Sequence, residues 1–376
     1  MPTEPQAGDA APSRGDALRL PAEVKYQDEL SRLRQWDQDR GEELPPGWKL
    51  SARAVRAFVI GHEGVGVTRK FYGDDPLVDR CVVTLLGRQG LMLAGPPGTA
   101  KSMLSELLSA AVSGNSNLTV QGTAGTTEDH IRYSWNYALL LAEGPSRRSL
   151  VPSPICQAME LGAVARFEEI TRAAPEIQDT MVSILSEKQL MIPELGSDAR
   201  VAAKPGFNVI ATANLRDRGV NEMSAALKRR FNFEAVNPIA DPAFEVQLVS
   251  QQVDAELGDR RRDVKIDRDV LELLVTAFRD LRSGTTAEGA VIKRPETAMS
   301  TAEAVNVAVG AALEARYLGD GKVTAGGMAR QLLGAALKDN QEDAARLDFY
   351  LDTVVRERAR RSRAWKDFQA AAKTWR

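Results

Sequence analysis

The hydrophobic positions of this chain follow one pattern before Pro242 and another after it. From about Val78, apolar or β-branched runs of strand length alternate with helical segments. The strand candidates are Gly90 to Gly95, Leu118 to Gly122, Ala163 to Glu168, Phe207 to Ala213 and Phe231 to Val236. This alternation predicts an α/β fold with a doubly wound, parallel, five-stranded sheet, whose ligand site lies at the carboxyl ends of the strands.

After Pro242 the apolar positions recur at helical spacing only, which predicts an all-helical second domain. The predicted helices cover about 243–256, 267–283, 296–317, 324–338 and 341–370. At the other end, residues 1 to about 20 are rich in Pro, Ala, Gly, Asp and Ser, which predicts disorder, and Ser51 is the expected N-cap of a short helix. We expect an N-terminal extension at 1–71, an α/β core at 72–240, a helical domain at 241–338 and a basic C-terminal helix at 339–376.

The composition is typical of a soluble globular protein, with 43% hydrophobic and 27% charged residues among 376. The formal net charge of −2 creates no overall field that would attract nucleic acid or an anionic membrane. No run of about 18 apolar residues predicts a membrane span. The two cysteines, Cys81 and Cys156, stand among apolar or small residues, which predicts buried, reduced thiols and a cytoplasmic location.

The segment LMLAGPPGTAKSML, Leu91 to Leu104, joins an apolar strand to a helix through a Gly/Pro-rich turn. Such a turn aims backbone N–H groups and the positive end of a helix at one point, where phosphate groups can be held. Lys101 would reach the β and γ phosphates of a nucleotide, and the Ser102 hydroxyl would ligate Mg²⁺. Ala100 stands where the pattern asks for glycine, and we expect it to keep a negative φ. The alternative is a Gly/Pro turn that carries a surface lysine.

Two adjacent carboxylates, Glu168 and Glu169, end the third strand candidate. At a nucleotide site, Glu168 would hold Mg²⁺, directly or through water, and Glu169 would orient and deprotonate the attacking water. Because neighbouring residues of a strand face opposite sides, the two side chains would have to diverge at the strand end. The alternative is a solvated strand edge.

Polar side chains also follow two later segments. Asn214 ends the strand candidate in FNVIATANLRD, where its amide would hydrogen-bond the lytic water or the γ-phosphate, although Asn also ends strands because it tolerates turns. Arg229 and Arg230 end a short helix in SAALKRRFNF, and an arginine there can project to a neighbouring subunit and neutralise charge on the γ-phosphate. The alternative for either arginine is a solvated side chain that favours a helix C-terminus.

In this order, the loop Gly95 to Ser102, the pair Glu168-Glu169, Asn214 and Arg230 closely resemble the AAA+ ATPases, and within them the MoxR-type branch. The segments EEITRAAPEIQDTMVSILSEKQL, VIATAN and LKRRF are similar to that branch's Walker B, sensor 1 and arginine-finger segments. The resemblance covers about Tyr72 to Leu337 and implies a P-loop sheet, a helical lid domain, and ATP and Mg²⁺ as cofactors.

The resemblance also implies roles for individual residues. It implies nucleotide contacts from Gly95, Pro96, Pro97, Gly98, Thr99, Ala100, Lys101, Ser102, Met103 and Arg294, the last as a sensor 2 residue at the head of a lid helix. It implies catalytic roles for Lys101, Glu169, Asn214 as sensor 1 and Arg230 as a finger acting in trans, and metal contacts from Ser102 and Glu168. Two residues depart from the family pattern: Glu168 replaces the usual Walker B Asp, and Thr171 stands where relatives commonly carry Asn.

Two stretches resemble insertions of that branch. Glu128 to Gln157 is similar to a helix 2 insertion, and Leu185 to Phe207 is similar to a hairpin before sensor 1, with its turn around Gly196-Ser197-Asp198. In related rings such insertions face the central pore or the substrate. We expect the aromatic residues of the first insertion to pack in its core rather than to grip a substrate. These residues are Tyr133, Trp135 and Tyr137.

The first hypothesis is a ring-forming, hexameric ATPase that remodels or activates a protein client like a chaperone, and the resemblance implies a von Willebrand factor A domain protein as partner. One rival is an ATP-gated assembly scaffold with little hydrolysis, prompted by Ala100 and Glu168. A McrB-like nucleic-acid motor is disfavoured by the acidic balance. The basic run Arg356 to Arg376 is interpreted as a solvated helix along a neighbouring subunit rather than as a nucleic-acid site.

Overall fold

A computed structural model describes residues 19–214, 219–297, 299–336 and 341–373. The start that was predicted to be disordered lies almost wholly outside these ranges, as does the end of the segment FNVIATANLRD. The chain divides into two compact units: one contains the residues up to 95 together with 101–236, and the other contains 96–100 and the residues from 237 onward. The domain boundaries expected at 71, 240 and 338 stay predictions.

The strands of the first unit form one parallel sheet and two hairpins. In chain order the strands of the molecule are β1 (Gly90–Ala94), β2 (Thr119–Gln121), β3 (Tyr133–Trp135), β4 (Leu150–Pro152), β5 (Val164–Glu168), β6 (Gln189–Met191), β7 (Arg200–Ala202), β8 (Asn208–Ala213), β9 (Phe231–Ala235), β10 (Lys265–Ile266) and β11 (Lys322–Val323). Five of them form a sheet in the order β2-β5-β8-β1-β9, in which every neighbouring pair is parallel. The predicted five-stranded parallel sheet is confirmed, and each strand ends within one residue of its predicted limits.

The helices cover the sheet of the first unit and build most of the second. They are α1 (Ala22–Lys25), α2 (Gln27–Arg40), α3 (Ala52–Ile60), α4 (Asp75–Leu86), α5 (Lys101–Ser113), α6 (Tyr137–Glu143), α7 (Pro154–Leu161), α8 (Pro175–Glu187), α9 (Ala225–Lys228), α10 (Pro242–Leu257), α11 (Arg268–Ser283), α12 (Thr301–Leu318), α13 (Ala325–Ala336), α14 (Gln341–Tyr350), α15 (Arg356–Ala359) and α16 (Arg363–Lys373). The predicted all-helical region after Pro242 is therefore confirmed for the described residues, apart from the two short strands β10 and β11.

The central strands β5, β8 and β1 are buried on both faces, which explains why they read as largely continuous apolar runs rather than as alternating ones. All five residues of β1 and all six of β8 are buried. Leu91 and Leu93 alternate with Met92 along β1, and none of the three exposes measurable surface. Polar groups are consequently confined to the ends of these strands and to the few positions where a partner is built in.

The N-terminal helices pack onto the α/β core through buried polar contacts. Ser51 caps α3 as predicted, because its Oγ accepts a hydrogen bond from Ala54 N at 3.1 Å. The buried Asp37 carboxylate accepts from Ser51 N at 2.8 Å and from Ser51 Oγ at 2.6 Å, which ties α2 to α3. Glu23 accepts from Ser116 Oγ at 2.6 Å, just beyond α5. The extension is thus anchored to the first unit at several points.

Two antiparallel strand pairs form small sheets separate from the parallel sheet. The pair β6–β7 confirms the hairpin predicted around Gly196. In the other, α6 connects β3 to β4. Tyr133 of β3 is buried, and its hydroxyl donates to Glu194 Oε2 at 2.7 Å. The prediction that Tyr137 packs in the core of the insertion was wrong. Its side chain is 71% exposed, and no residue of α6 is buried.

In the second unit, the fully buried Glu245 of α10 holds three helices together. It accepts hydrogen bonds from Arg279 and Arg282 of α11, each at 2.8 Å, and from Thr301 Oγ1 of α12 at 2.6 Å. Removal of one partner of such a buried ion pair leaves an uncompensated charge, so the cluster fixes how these helices pack.

The C-terminal region is not the single helix predicted for 341–370. A π-helical turn, Leu351–Val355, follows α14, and the chain turns again between α15 and α16. This second turn directs α16 back onto α13 of the same chain, where Phe368 and Ala372 are buried. The interpretation of this segment as a solvated helix along a neighbouring subunit did not include that contact. Residues 368 and 372 are four positions apart, so they lie on the same side of α16 and form a short apolar face.

Both cysteines are free and buried, as predicted. Burial raises the pKa of the Cys81 thiol to about 12 and that of Cys156 to about 11. Across the described parts of the chain, no helix combines the length and the apolar character that crossing a membrane requires.

Candidate functional site

The loop from Gly95 to Ala100 joins β1 to α5 at the carboxyl edge of the parallel sheet. Gly95 N donates to Ala213 O of the neighbouring strand β8 at 3.2 Å, so the loop starts beside the end of that strand. Gly98 has a φ of 72°, a conformation that glycine adopts without a steric penalty. The helix begins immediately after the loop, at Lys101. The backbone therefore turns tightly and delivers the helix N-terminus to this edge, as an anion site requires.

Ala100 does not keep the negative φ expected from the sequence. Its φ is 64°, in the left-handed region that glycine favours. For an L-residue with a Cβ atom this conformation costs about 1–2 kcal/mol, so the loop carries backbone strain one residue before the lysine. The position therefore has the geometry of the usual glycine, although the residue is alanine.

We expect Ala100→Gly to stabilise the protein by about 0.5–1 kcal/mol, because the relief of strain exceeds the entropy that glycine adds to the unfolded chain. Urea denaturation would measure the change. The same substitution at the exposed helical residue Ala370 is a matched control, expected to destabilise by about 0.5–1 kcal/mol. A loss of stability in Ala100→Gly would show that this residue is not strained.

Lys101 is buried at the first turn of α5, and its Nζ donates to Gly95 O at 2.9 Å. Burial lowers the pKa of this ammonium group, and the carboxylates of Glu169 and Glu168 oppose the effect. A bound anion would stabilise the charged form further. Met103, predicted to contact nucleotide, is half-buried two residues later.

The Glu168 carboxylate at the end of β5 lies against the first turn of α5. Its Oε2 accepts from Ser102 Oγ at 2.7 Å and from Thr212 Oγ1 at 2.8 Å, and its Oε1 accepts from Ser105 Oγ at 2.5 Å and from Arg166 at 2.7 Å. Burial raises the pKa of Glu168, but Arg166 and the three hydroxyl donors together outweigh it, so the pKa lies below its ordinary value. The carboxylate is therefore charged at neutral pH.

Three of these partners, Arg166, Ser105 and Thr212, were missed by the sequence analysis. The signal was present for Arg166, because an arginine interrupts an otherwise apolar strand two residues before Glu168 and must share a face with it. Ser105 follows Ser102 by three positions and therefore lies on the same side of α5. Thr212 gave no comparable signal, since a threonine is ordinary in a strand.

Glu169 diverges from Glu168 because the chain leaves the strand at this residue. Its φ is 53°, in the left-handed region, which is uncommon for a glutamate, and strained residues of this kind cluster at functional sites. Its backbone N–H donates to Thr212 Oγ1 at 3.0 Å, and its side chain, 29% exposed, approaches Arg172 at 3.4 Å. The two carboxylates thus face different surroundings, one buried and one accessible.

The structure brings Asn214 to the same edge. It is buried directly after β8, which lies between β1 and β5, so it follows the strand that separates the loop from the two carboxylates. Thr171, near Glu169, is also buried, and its Oγ1 has no hydrogen-bond partner among the described residues. Its carbonyl accepts from Asn221 N at 2.6 Å.

The arginines are placed differently. Arg230 follows α9 and is half-buried, with Nε donating to Ser186 Oγ and a terminal nitrogen donating to Ala226 O, both at 2.9 Å. Arg229 is exposed. Arg294, expected at the head of a helix, lies instead in an exposed position six residues before Ser300, the N-cap of α12. The capping box of Ser300 starts this helix later than the apolar pattern suggested.

At this edge, hydroxyl and carboxylate oxygens adjoin a buried ammonium group and a helix N-terminus. Oxygen ligands of this kind suit a small, hard cation such as Mg²⁺, which in proteins usually shares phosphate oxygens with one or two carboxylates. Ser102 is exposed and Glu168 stands directly behind it. The residues present therefore fit a magnesium-bound polyphosphate.

Two family profiles match the chain. One, described as "AAA domain (dynein-related subfamily)", matches residues 90–231, and the other, described as "YehL-like AAA+ ATPase C-terminal domain", matches residues 243–373. The first begins at β1 and reaches the start of β9. The second covers α10 to α16.

Individual proteins are also similar to the chain. It is 47% identical to "Uncharacterized protein YehL" of Escherichia coli (strain K12) over 346 residues, which cover 92% of this chain and 94% of that protein. It is 31% identical to "Uncharacterized protein SH1500" of Staphylococcus haemolyticus (strain JCSC1435) over 38% of this chain and 53% of that protein, about half its length. A solved structure of NtrX from Brucella abortus in complex with ADP is similar with a TM-score of 0.48 at 15% identity, covering 79% of this chain and 62% of that chain.

Proposed function

The chain belongs to the YehL-like AAA+ ATPases, and from this premise we propose that it binds ATP with Mg²⁺ and hydrolyses the ATP to remodel a protein client. The observation that carries the proposal is the 2.7 Å hydrogen bond from Ser102 Oγ to Glu168 Oε2, directly after the buried Lys101. This bond places a hydroxyl beside a charged carboxylate at a helix N-terminus, and the ammonium group of Lys101 is one residue away along the chain. The oxygen atoms suit Mg²⁺, and the ammonium group and the helix N-terminus suit the phosphates of a nucleotide.

Each residue of this edge has a distinct task in the proposed reaction. Lys101 and the backbone N–H groups of the loop bind the phosphates, while Ser102 and Glu168 would hold Mg²⁺, which would neutralise charge on the phosphate oxygens. Glu169, turned away from Glu168, accepts a proton from the attacking water. Asn214 orients that water or the γ-phosphate. At this edge of the sheet, different residues thus bind the magnesium nucleotide and accept the proton.

Assembly is the second part of the proposal, because members of the AAA+ family usually form oligomeric rings. We propose a hexamer in which an arginine after α9 reaches the nucleotide of the neighbouring subunit. Arg229 is exposed, and Arg230 is half-buried with a hydrogen bond to Ser186 of its own subunit. Both residues are candidates for the finger, and Arg230 is the predicted one.

Two inactive variants should restore activity when they are mixed. Arg230→Ala keeps its nucleotide site but lacks the finger, whereas Lys101→Met keeps the finger but lacks the site. We expect phosphate release by each alone to be at background, and by an equal mixture to reach about a quarter of the wild-type rate, since random assembly pairs an intact site with an intact finger at that frequency.

Arg229→Ala is the matched control for this experiment and should retain most of the wild-type rate. If Arg229→Ala is inactive and Arg230→Ala is active, the finger is Arg229. A mixture that stays at background would contradict action in trans. A wild-type protein that assembles with ATP but releases no phosphate would favour the ATP-gated scaffold instead.

The helix α6 is the surface that we assign to the protein client. Its sequence YALLLAE is almost wholly apolar, yet Tyr137 is 71% and Leu141 is 88% exposed. It is fixed in place by an N-cap from Asn136 and by Gly144 at its other end. An ordered apolar surface of this kind is typical of protein interaction sites. A von Willebrand factor A domain protein is the proposed partner, and the cytoplasm the proposed location.

We expect Tyr137→Ser/Leu141→Ser to lose stimulation of phosphate release by casein, an unfolded model client, and to keep its basal rate within about twofold, since apolar contact drives such binding. A phosphate-release assay with and without casein measures both rates. Tyr317→Ser/Leu318→Ser is a matched control, because these residues are 64% and 86% exposed at the end of α12. Equal losses in the two variants would contradict a specific role for α6.

A further inference from the structure

A buried arginine, Arg166, lies beside the proposed magnesium site without a role in the proposed chemistry. It is only 8% exposed, and it stands two residues before Glu168 on β5, so both side chains point to the face of the sheet that α5 covers. A buried guanidinium group requires several partners, because burial of an unpaired charge is costly.

Two of the hydrogen bonds of Arg166 reach the N-terminal part of α5, one reaches Glu168, and another reaches the segment after α5. Its Nε donates to Ser105 Oγ and one terminal nitrogen donates to Ser116 O, both at 3.0 Å. The other terminal nitrogen donates at once to Ser102 O at 3.0 Å and to Glu168 Oε1 at 2.7 Å. One nitrogen atom therefore contacts both residues that would hold the metal.

The Glu168 carboxylate has every acceptor position in use, so it would hold Mg²⁺ either by releasing one donor or through the Ser102 hydroxyl that it orients. A carboxylate offers about four lone-pair sites, and two donors occupy each of its oxygens: Ser105 and Arg166 at Oε1, Ser102 and Thr212 at Oε2. With its proton donated to Oε2, the Ser102 hydroxyl keeps its own lone pairs for a cation. The orientation of this hydroxyl thus depends on the position of the carboxylate behind it.

We propose that Arg166 is a positioning residue, which locks the Glu168 carboxylate against Ser102 and so prepares the Ser102 hydroxyl to bind Mg²⁺. A glutamate has one more rotatable bond than an aspartate, and the planar fork of the guanidinium group removes that freedom by binding the carboxylate and the helix together. The inference rests on the proposed nucleotide site but not on hydrolysis or on ring formation.

Titration with a fluorescent ATP analogue, in EDTA and in millimolar Mg²⁺, tests the proposal. The readout is the Mg²⁺ enhancement, defined as the dissociation constant in EDTA divided by that in Mg²⁺. We expect Arg166→Met to reduce this enhancement at least about tenfold, as the loss of an outer-shell partner of a metal ligand typically does, and to leave the dissociation constant in EDTA within about twofold. Arg166→Lys should also lose enhancement, because lysine cannot form the fork.

Two further variants decide the question if Arg166→Met does not fold. Arg166→Met/Glu168→Gln removes both buried charges, so it leaves neither unpaired, and its enhancement should equal that of Glu168→Gln alone. Ser105→Ala removes one shared partner and should reduce the enhancement about two- to fivefold.

An unchanged enhancement in Arg166→Met or Ser105→Ala would overturn the proposal. So would a double variant with less enhancement than Glu168→Gln alone, because Arg166 would then act other than through Glu168. A change in the EDTA constant that equals the change in Mg²⁺ would show a purely structural role. A wild-type protein that binds no nucleotide in either condition would instead overturn the proposed function, and this inference with it.

Discussion

Replacement of Glu169 by glutamine is expected to lower steady-state ATP hydrolysis at least about 100-fold while it leaves the affinity for ATP within about threefold. A general base contributes about 10²–10⁴ to the rate, and glutamine cannot accept the proton. Glu169 is the accessible member of the carboxylate pair, and its carboxylate approaches Arg172 rather than the side chains that surround the Glu168 carboxylate. A phosphate-release assay and an ATP titration would measure the two quantities.

The control for this substitution is Glu187→Gln, an exposed glutamate at the end of α8, which should retain the wild-type rate. Glu168→Gln should behave differently from both, with weaker dependence on Mg²⁺ as well as a lower rate. If Glu169→Gln hydrolyses ATP as fast as the wild type, the general base is another group, and the proposed ATPase mechanism is wrong.

Replacement of Lys101 by methionine is expected to weaken ATP binding at least about 100-fold, equivalent to about 2.7 kcal/mol. The lysine side chain is buried, and its contacts hold a positive charge at the point where the phosphates would lie. Because burial already disfavours the ammonium group, the apolar methionine should not lower the stability of the nucleotide-free protein. The variant should therefore separate binding from folding.

Thermal unfolding with and without magnesium ATP would check both parts. Wild-type protein should unfold at a higher temperature with the nucleotide, because a ligand that binds only the folded state stabilises it. Lys101→Met should lose that shift and unfold without nucleotide no earlier than the wild type. Lys204→Met, at an exposed lysine, should keep the shift. A shift of wild-type size in Lys101→Met would place the nucleotide elsewhere.

The sequence predicted the centre of the sheet well because the strands β1, β5 and β8 are buried on both faces. A continuous apolar run such as Leu91 to Ala94 has few alternative structures once a glycine turn follows it. The hairpin around Gly196 and the N-cap at Ser51 were predicted for the same kind of reason, since each depends on neighbouring residues only. Local patterns therefore gave the architecture and the order of the polar residues along one edge.

The features that the sequence did not predict depend on contacts between distant residues. The φ of Ala100 is set by the path between β1 and α5, which no local preference of alanine indicates. The ion pair of Arg166 with Glu168 needs the strand alternation and the position of α5 together. The break before α16 depends on where α13 lies. Exposure of Tyr137 likewise reflects the absence of a covering element over α6 in the described chain.

The surroundings of the two native cysteines have a practical consequence. At neutral pH both thiols stay protonated and shielded, so they react slowly with maleimides, which attack the thiolate form. A single cysteine introduced on the exposed helix α6 would then carry a fluorophore alone, without deletion of the native residues. Energy transfer between labelled copies could follow subunits as they assemble.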